Sequence, residues 1–205
     1  MRQRDAIPWF SMTIWLVGQW MVIVIAALRI PLAARYPEPA EALAPQLMAG
    51  FQFGMLSLLF PTLLSETRSA IVTAVSGVLM LQLANVLGGQ PQPAILEVAI
   101  LEIVWIAALW MWIWGRKGET SYFLVPSFVI GGAILEYLRF EFGSTNPQNI
   151  LHFTPLVAST ALISGRMLGI SPWLMPLILV ITGFLLRARR FGVKLSTGVF
   201  PKTGG

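Results

Sequence analysis

The sequence predicts an all-α integral membrane protein, a polytopic bundle of six transmembrane helices with cytoplasmic N- and C-termini. Three observations carry that expectation. Of the 205 residues, 56% are hydrophobic and only 11% charged, against about 25% charged in an ordinary soluble domain, and mean hydropathy is +0.74. The apolar residues fall in long runs, several of them reaching the roughly 18 residues that carry a helix across a hydrocarbon core of about 30 Å. They do not alternate with polar residues, as the strands of a membrane barrel with a wet lumen would. Finally, the basic residues gather in the C-terminal stretch, where the preference of cationic loops for the cytoplasm accounts for them.

The first run, Trp9 to Leu28, is too long for the roughly 7–15-residue apolar core of a secretory leader and reads as a retained first span. Arg29 to Pro45 is polar and broken by prolines, so it reads as a loop. Gln46 to Leu64 forms the second span, and Ser65 to Ser69 a tight polar turn. Ala70 to Leu87 is the third, stopped by the Gly88–Pro93 cluster of glycine and proline. Ala94 to Trp114 and Ser121 to Leu138 are the fourth and fifth, separated by Gly115 to Thr120. Two shorter apolar pieces follow, Thr154 to Leu168 and Pro172 to Leu186, with Arg166 and the Gly169–Pro172 break between them.

Positive charge decides how many of these pieces cross. With the N-terminus inside, the inner segments hold Arg2, Arg4, Arg68, Arg116 and Lys117, and the outer loops Arg29, Arg35 and Arg139. The C-terminal stretch carries Arg187, Arg189, Arg190, Lys194 and Lys202, and a seventh crossing would export it. Six crossings leave Thr154 to Leu168 lying at the outer face or dipping in and returning. Residues 1–190 then form one transmembrane domain and 191–205 a flexible basic cytoplasmic tail. The expected location is a cell membrane, taken as a bacterial inner membrane. Trp9, Trp110, Trp112 and Trp114 fall at cytoplasmic helix ends, where indoles favour the interface, while Trp15, Trp20 and Trp105 read as packing residues.

Strong polar side chains within these spans are the candidate site. At a rise of about 1.5 Å per residue from the inner helix ends, Gln19 lies roughly 15 Å deep. Gln52, Gln82 and Glu102 come out at roughly 18 Å, and Asn85 and Glu136 at roughly 22 Å. Five helices thus contribute to one slab, as hydrogen-bonding glue between helices, as a polar cavity open to the outer side and holding a protonatable Glu102, or as a surface buried against another subunit. Glu97 and Arg139, at roughly 26–27 Å, are a candidate ion pair near the outer interface. The small pairs Gly50/Gly54 and Ser127/Gly131 permit close helix contact, within the bundle or between copies. Pro61, Pro126 and Pro176 are expected to kink their helices.

Composition also excludes. There is no cysteine, hence no disulfide, thiolate metal site, iron–sulfur cluster or cysteine nucleophile. His152 is the single histidine, so a bis-histidine haem and a HExxH zinc site within the chain are ruled out. Ser164-Gly165 lacks the leading glycine of a GxSG protease motif, and no Walker A or GxGxxG loop occurs. No metal or cofactor is predicted. The lipid bilayer is the expected partner, with other membrane subunits or a small-molecule or lipid ligand as further candidates. Nucleic acid is not expected, because the net charge of +5 comes without a folded basic domain. The functional expectation is a non-catalytic membrane component, either an accessory subunit of a larger complex or a small permease. The alternative is a lipid- or quinone-modifying enzyme using Glu97, Glu102, Glu136 and Arg139 at the outer leaflet.

Overall fold

The computed structural model describes residues 8–33, 43–115, 120–141, 154–164 and 170–196, with side chains except at 29–33, 114–115, 120–124, 136–137, 139–141 and 186–196. The described residues form seven helices and no strand. These are α1 (Trp9–Ala33), α2 (Leu43–Leu63), α3 (Thr67–Gly88), α4 (Gln92–Gly115), α5 (Thr120–Glu141), α6 (Pro155–Ile163) and α7 (Ser171–Ser196). Of these, α1 to α4 are each long and apolar enough to cross a membrane, while α5 and α7 contain the shorter apolar stretches Val125–Leu135 and Ser171–Leu185.

The helix ends follow from local chemistry. Pro155 opens α6, and Pro93 and Pro172 stand second in α4 and α7, positions where a missing N–H costs nothing. At the end of α2, the carbonyls that lack helical partners are met by the next turn. Leu64 N–H donates to Phe60 at 2.9 Å, Ser65 Oγ to the Thr62 carbonyl at 2.9 Å, and Ser69 Oγ to the Leu63 carbonyl. α3 ends on Gly89, whose φ of 63° suits glycine and lets its N–H reach the Asn85 carbonyl at 2.8 Å. Two elements run further than the apolar pattern alone indicates. α1 continues through Pro31 to Ala33, and α7 continues to Ser196, so residues 191–196, expected as tail, have helical backbone. Residues 197–205 lie outside the described residues.

The packing centres on α2 and α4. α2 touches α1, α3, α4, α5 and α6, and α4 touches α2, α3, α6 and α7. The core between them holds Trp15, Met48, Leu56, Phe60, Leu101 and Trp105, all buried. Close approaches occur where one helix offers a glycine: Gly18 under Phe51, Gly77 under Glu102, Gly132 under Thr154, and Gly183 against the Met111 backbone. The small pairs singled out in the sequence are not such points. A side chain at Gly54 or Gly131 would meet nothing within 4 Å, and one at Gly50 would meet only Leu156 at 4.0 Å.

α6 is a buried wedge. It packs against α2, α4 and α5, and seven of its nine residues are buried. Thr154, at its start, rests on Gly132, nine residues before the end of α5, and Leu156 approaches Gly50 of α2. At its other end, Ser164 accepts a hydrogen bond from Gln46 Nε2 at 3.2 Å, three residues into α2. α6 therefore runs from the middle of the bundle back to the end at which α2 begins.

The outer faces are apolar. Phe10, Trp20 and Leu28 on α1, Leu79 and Val86 on α3, and Ile181 and Phe184 on α7 are exposed. Contiguous exposure of this kind is an anomaly in water and the normal state in lipid. With the long apolar helices, it makes the chain a membrane helix bundle. Trp20, expected as a packing residue, is 54% exposed on this face, while Trp15 and Trp105 are packed as expected.

Candidate functional site in the bundle core

A single line of polar groups crosses four helices. It starts on α1 with Gln19, wholly buried, whose Nε2 donates to the Trp15 carbonyl one turn earlier at 3.2 Å. That bond is local, so it aims the rest of the amide at α2. There Gln52, also buried, donates from Nε2 to Gln19 Oε1 at 3.0 Å and to the Gly77 carbonyl of α3 at 2.8 Å. Gly77 meets α4 as well: the space a Cβ would fill is taken by the Glu102 carboxyl, whose Oε1 would lie 2.1 Å from it. One glycine thus offers its carbonyl to α2 and its bare Cα to α4.

Glu102 is wholly buried, and neither carboxyl oxygen has a hydrogen-bond partner among the described residues. One turn along α4, the buried Nε1 of Trp105 also lacks a partner, its ring stacked on Phe128 of α5 at 6.3 Å. Residues 102 and 105 are one turn apart on one helix, so two acceptors and one donor without partners among the described residues lie within a turn of α4. Each such group costs about 1–3 kcal/mol when left unsatisfied in an interior. An ionised carboxylate with no counter-charge would cost far more, so this environment tolerates the acid form.

Other polar bonds close the bundle around this line. Trp15 Nε1 donates to Ser76 Oγ at 2.9 Å, tying α1 to α3, and Ser11 Oγ donates to Thr62 Oγ1 at 2.7 Å, tying α1 to α2. Thr73 and Ser76 return their own protons to carbonyls one turn back in α3.

Of the residues expected in the slab, the structure brings Gln19, Gln52 and Glu102 together. Asn85 serves the α3–α4 turn instead: its Oδ1 accepts from Gln90 N–H at 3.0 Å and its Nδ2 donates to the Gln90 carbonyl at 3.2 Å. Gln82 is half-buried and joins none of these bonds. Glu97 is exposed, five residues from Glu102 on another face of α4. The side chains of Glu136 and Arg139, and all of His152, lie outside the described residues, and with them the Glu97–Arg139 pair. Among the described residues, no group of three His, Cys, Asp or Glu side chains is placed to hold a metal ion.

Sequence reasoning passed over Gly77, Ser76 and Trp105. Gly77 has no side chain to signal its part, and Trp105 reads as packing until its indole nitrogen is found buried without a partner. No protein-family model, curated protein sequence or solved structure matches the chain.

Proposed function

We propose that this chain is a non-catalytic integral membrane component, a small permease in preference to an accessory subunit. It crosses six times, through α1 to α5 and α7, with both termini in the cytoplasm. α6 acts as a re-entrant half-helix that starts beside the polar layer and returns to the outer side. The geometry of α6 supports this topology: it ends beside Gln46 at the end where α2 begins, and α7 starts seven residues after Ser164. α7 then leads back to the inner side, carrying the basic stretch with it.

The observation that carries the permease reading is the Glu102 carboxyl, wholly buried, without a partner among the described residues, and reached through Gly77 by a polar line from α1 and α2. Polar glue binds its atoms to a neighbouring helix, as Gln52 does. A carboxyl inside the chain's own core with both oxygens unused serves no such purpose, and intramembrane ionisable residues of this kind mark pathways. The enzyme reading has less support, since of its four residues Glu97 is exposed, Glu102 is buried, and the side chains of Glu136 and Arg139 lie outside the described residues.

The test is the native mass of the tagged full chain purified from its own membrane in mild detergent. The permease reading expects the chain alone or associated only with copies of itself. Stoichiometric co-purification with different subunits overturns it in favour of the accessory role.

A further inference from the structure

We propose that Glu102 is an exchangeable proton-binding site within the membrane, the proton being the ligand of the polar layer. The inference rests on the permease reading and names the cation it handles. Glu102 offers two carboxyl oxygens that no described residue uses, on a face of α4 closed by Gly77, with the Trp105 N–H, likewise without a partner among the described residues, one turn away.

The surroundings select among cations. A sodium or calcium ion needs several oxygen ligands around it. Two other oxygens of the layer are already engaged: the Gly77 carbonyl and Gln19 Oε1 both accept from Gln52. The face that Gly77 turns to Glu102 is a Cα, which ligates nothing. A proton needs one oxygen.

Among the described side chains, no other charge is built into the layer. The helices against α4 are α2, α3, α6 and α7, with α5 reaching it through Phe128 on Trp105; the ionisable side chains of α5, Glu136 and Arg139 among them, lie outside the described residues. Neither α2 nor α6 contains an ionisable residue. α3 has only Arg68, exposed at its far end, and α7 has only Arg187, Arg189, Arg190 and Lys194 in its last third. On α4 itself the other ionisable group is Glu97, which is exposed. With no cation beside the carboxylate among the described side chains, release of the proton requires water or a moving helix to reach Glu102. The Trp105 N–H, one turn along α4, is a buried donor with no partner among the described residues.

The experiment is labelling of the full chain in membranes with the lipid-soluble probe dicyclohexylcarbodiimide, mapped by peptide mass. The carboxyl oxygen bonds to the central carbon of the probe and the carboxyl proton passes to its nitrogen, so the reaction reads the acid form. Glu102 is expected to label and Glu102→Gln to abolish that adduct. The rate should fall about tenfold per pH unit once the acid form is the minor one, and sodium and lithium salts should not protect. A monodisperse chain whose Glu102 does not label overturns the proposal, as does labelling indifferent to pH from mildly acid to strongly alkaline buffer. Protection by an alkali cation at fixed pH overturns it in favour of a metal-ion site. Labelling is read without transport or native mass, so this inference and the permease reading fail separately.

Discussion

Gly77 is the residue on which the polar line turns. A methyl group there would lie 2.1 Å from Oε1, 2.9 Å from Cδ and 3.2 Å from Oε2 of Glu102, so the whole carboxyl must move. Its far end is flexible, but Glu102 has no exposed surface to swing into. Gly77→Ala is therefore expected to destabilise the bundle by about 1–3 kcal/mol, the usual range for overpacking. Glu102→Ala vacates the contested space, so the double variant should lose much less than the sum of the singles. Thermal unfolding of all four proteins in detergent measures that coupling. Additive losses would mean that the two residues do not compete for one space. The same pair shows how far the sequence could be read. Glu102, Gln52 and Gln19 were legible because a strong polar group in a long apolar run is expensive and conspicuous. Asn85 carries the same signal and does something else, since counting along a helix gives depth but neither rotation about its axis nor use as a cap. Gly77 carries no signal, because its contribution is an absence of atoms.

At the scale of elements, the helices were legible and the way α6 enters was not. Lipid demands long apolar runs bounded by polar breaks, so α2 to α5 match the expected runs to within a few residues, as where Ala94 to Trp114 became Gln92–Gly115, while α1 and α7 run on by five and ten residues. The piece from Thr154 onward had the composition of a span, and its described helix is nine residues, about 13 Å at the usual rise and by itself shorter than a crossing. Its placement depends on Gly132, whose bare Cα receives the Cβ and Cγ2 of Thr154. A Cβ there would meet Thr154 Cγ2 at 2.1 Å and Cβ at 2.7 Å. These atoms sit next to the Thr154 backbone, so α6 itself would have to shift. Gly132→Val should therefore lift the start of α6 out of the bundle while leaving α1 to α4 packed. Cysteines at Gln46 and Ser164, whose native side chains are hydrogen-bonded at 3.2 Å, report on this through a short bis-maleimide. The pair is expected to cross-link in high yield and to lose most of that yield when Gly132→Val is added. Unchanged cross-linking would show that α6 is held by its other neighbours and not by the glycine seat.

For the whole molecule, the number of crossings decides which side each turn faces, and the chain offers a clean way to read it. It contains no cysteine, so single cysteines can be introduced without first removing any. Three exposed positions separate the possibilities: Thr67 at the α2–α3 turn, Gln92 at the α3–α4 turn, and Ser164 at the end of α6. Because α1 to α4 alternate in direction, Thr67 and Gln92 must lie on opposite sides in any membrane topology with four consecutive spans. Ser164 is the informative one. A half-helix that enters and returns leaves it on the side of Gln92, in keeping with its bond to Gln46 near the start of α2. A full crossing by the α6 region would put it on the side of Thr67 and would send the α7 basic stretch outward, against the distribution of positive charge. On intact cells, an impermeant maleimide is expected to label Gln92→Cys and Ser164→Cys, and to reach Thr67→Cys only after the membrane is opened. If Ser164→Cys behaves like Thr67→Cys, six crossings are wrong and the α6 region spans. If Thr67→Cys labels first, the orientation is inverted, and the basic C-terminal stretch must be held outside by something stronger than its charge.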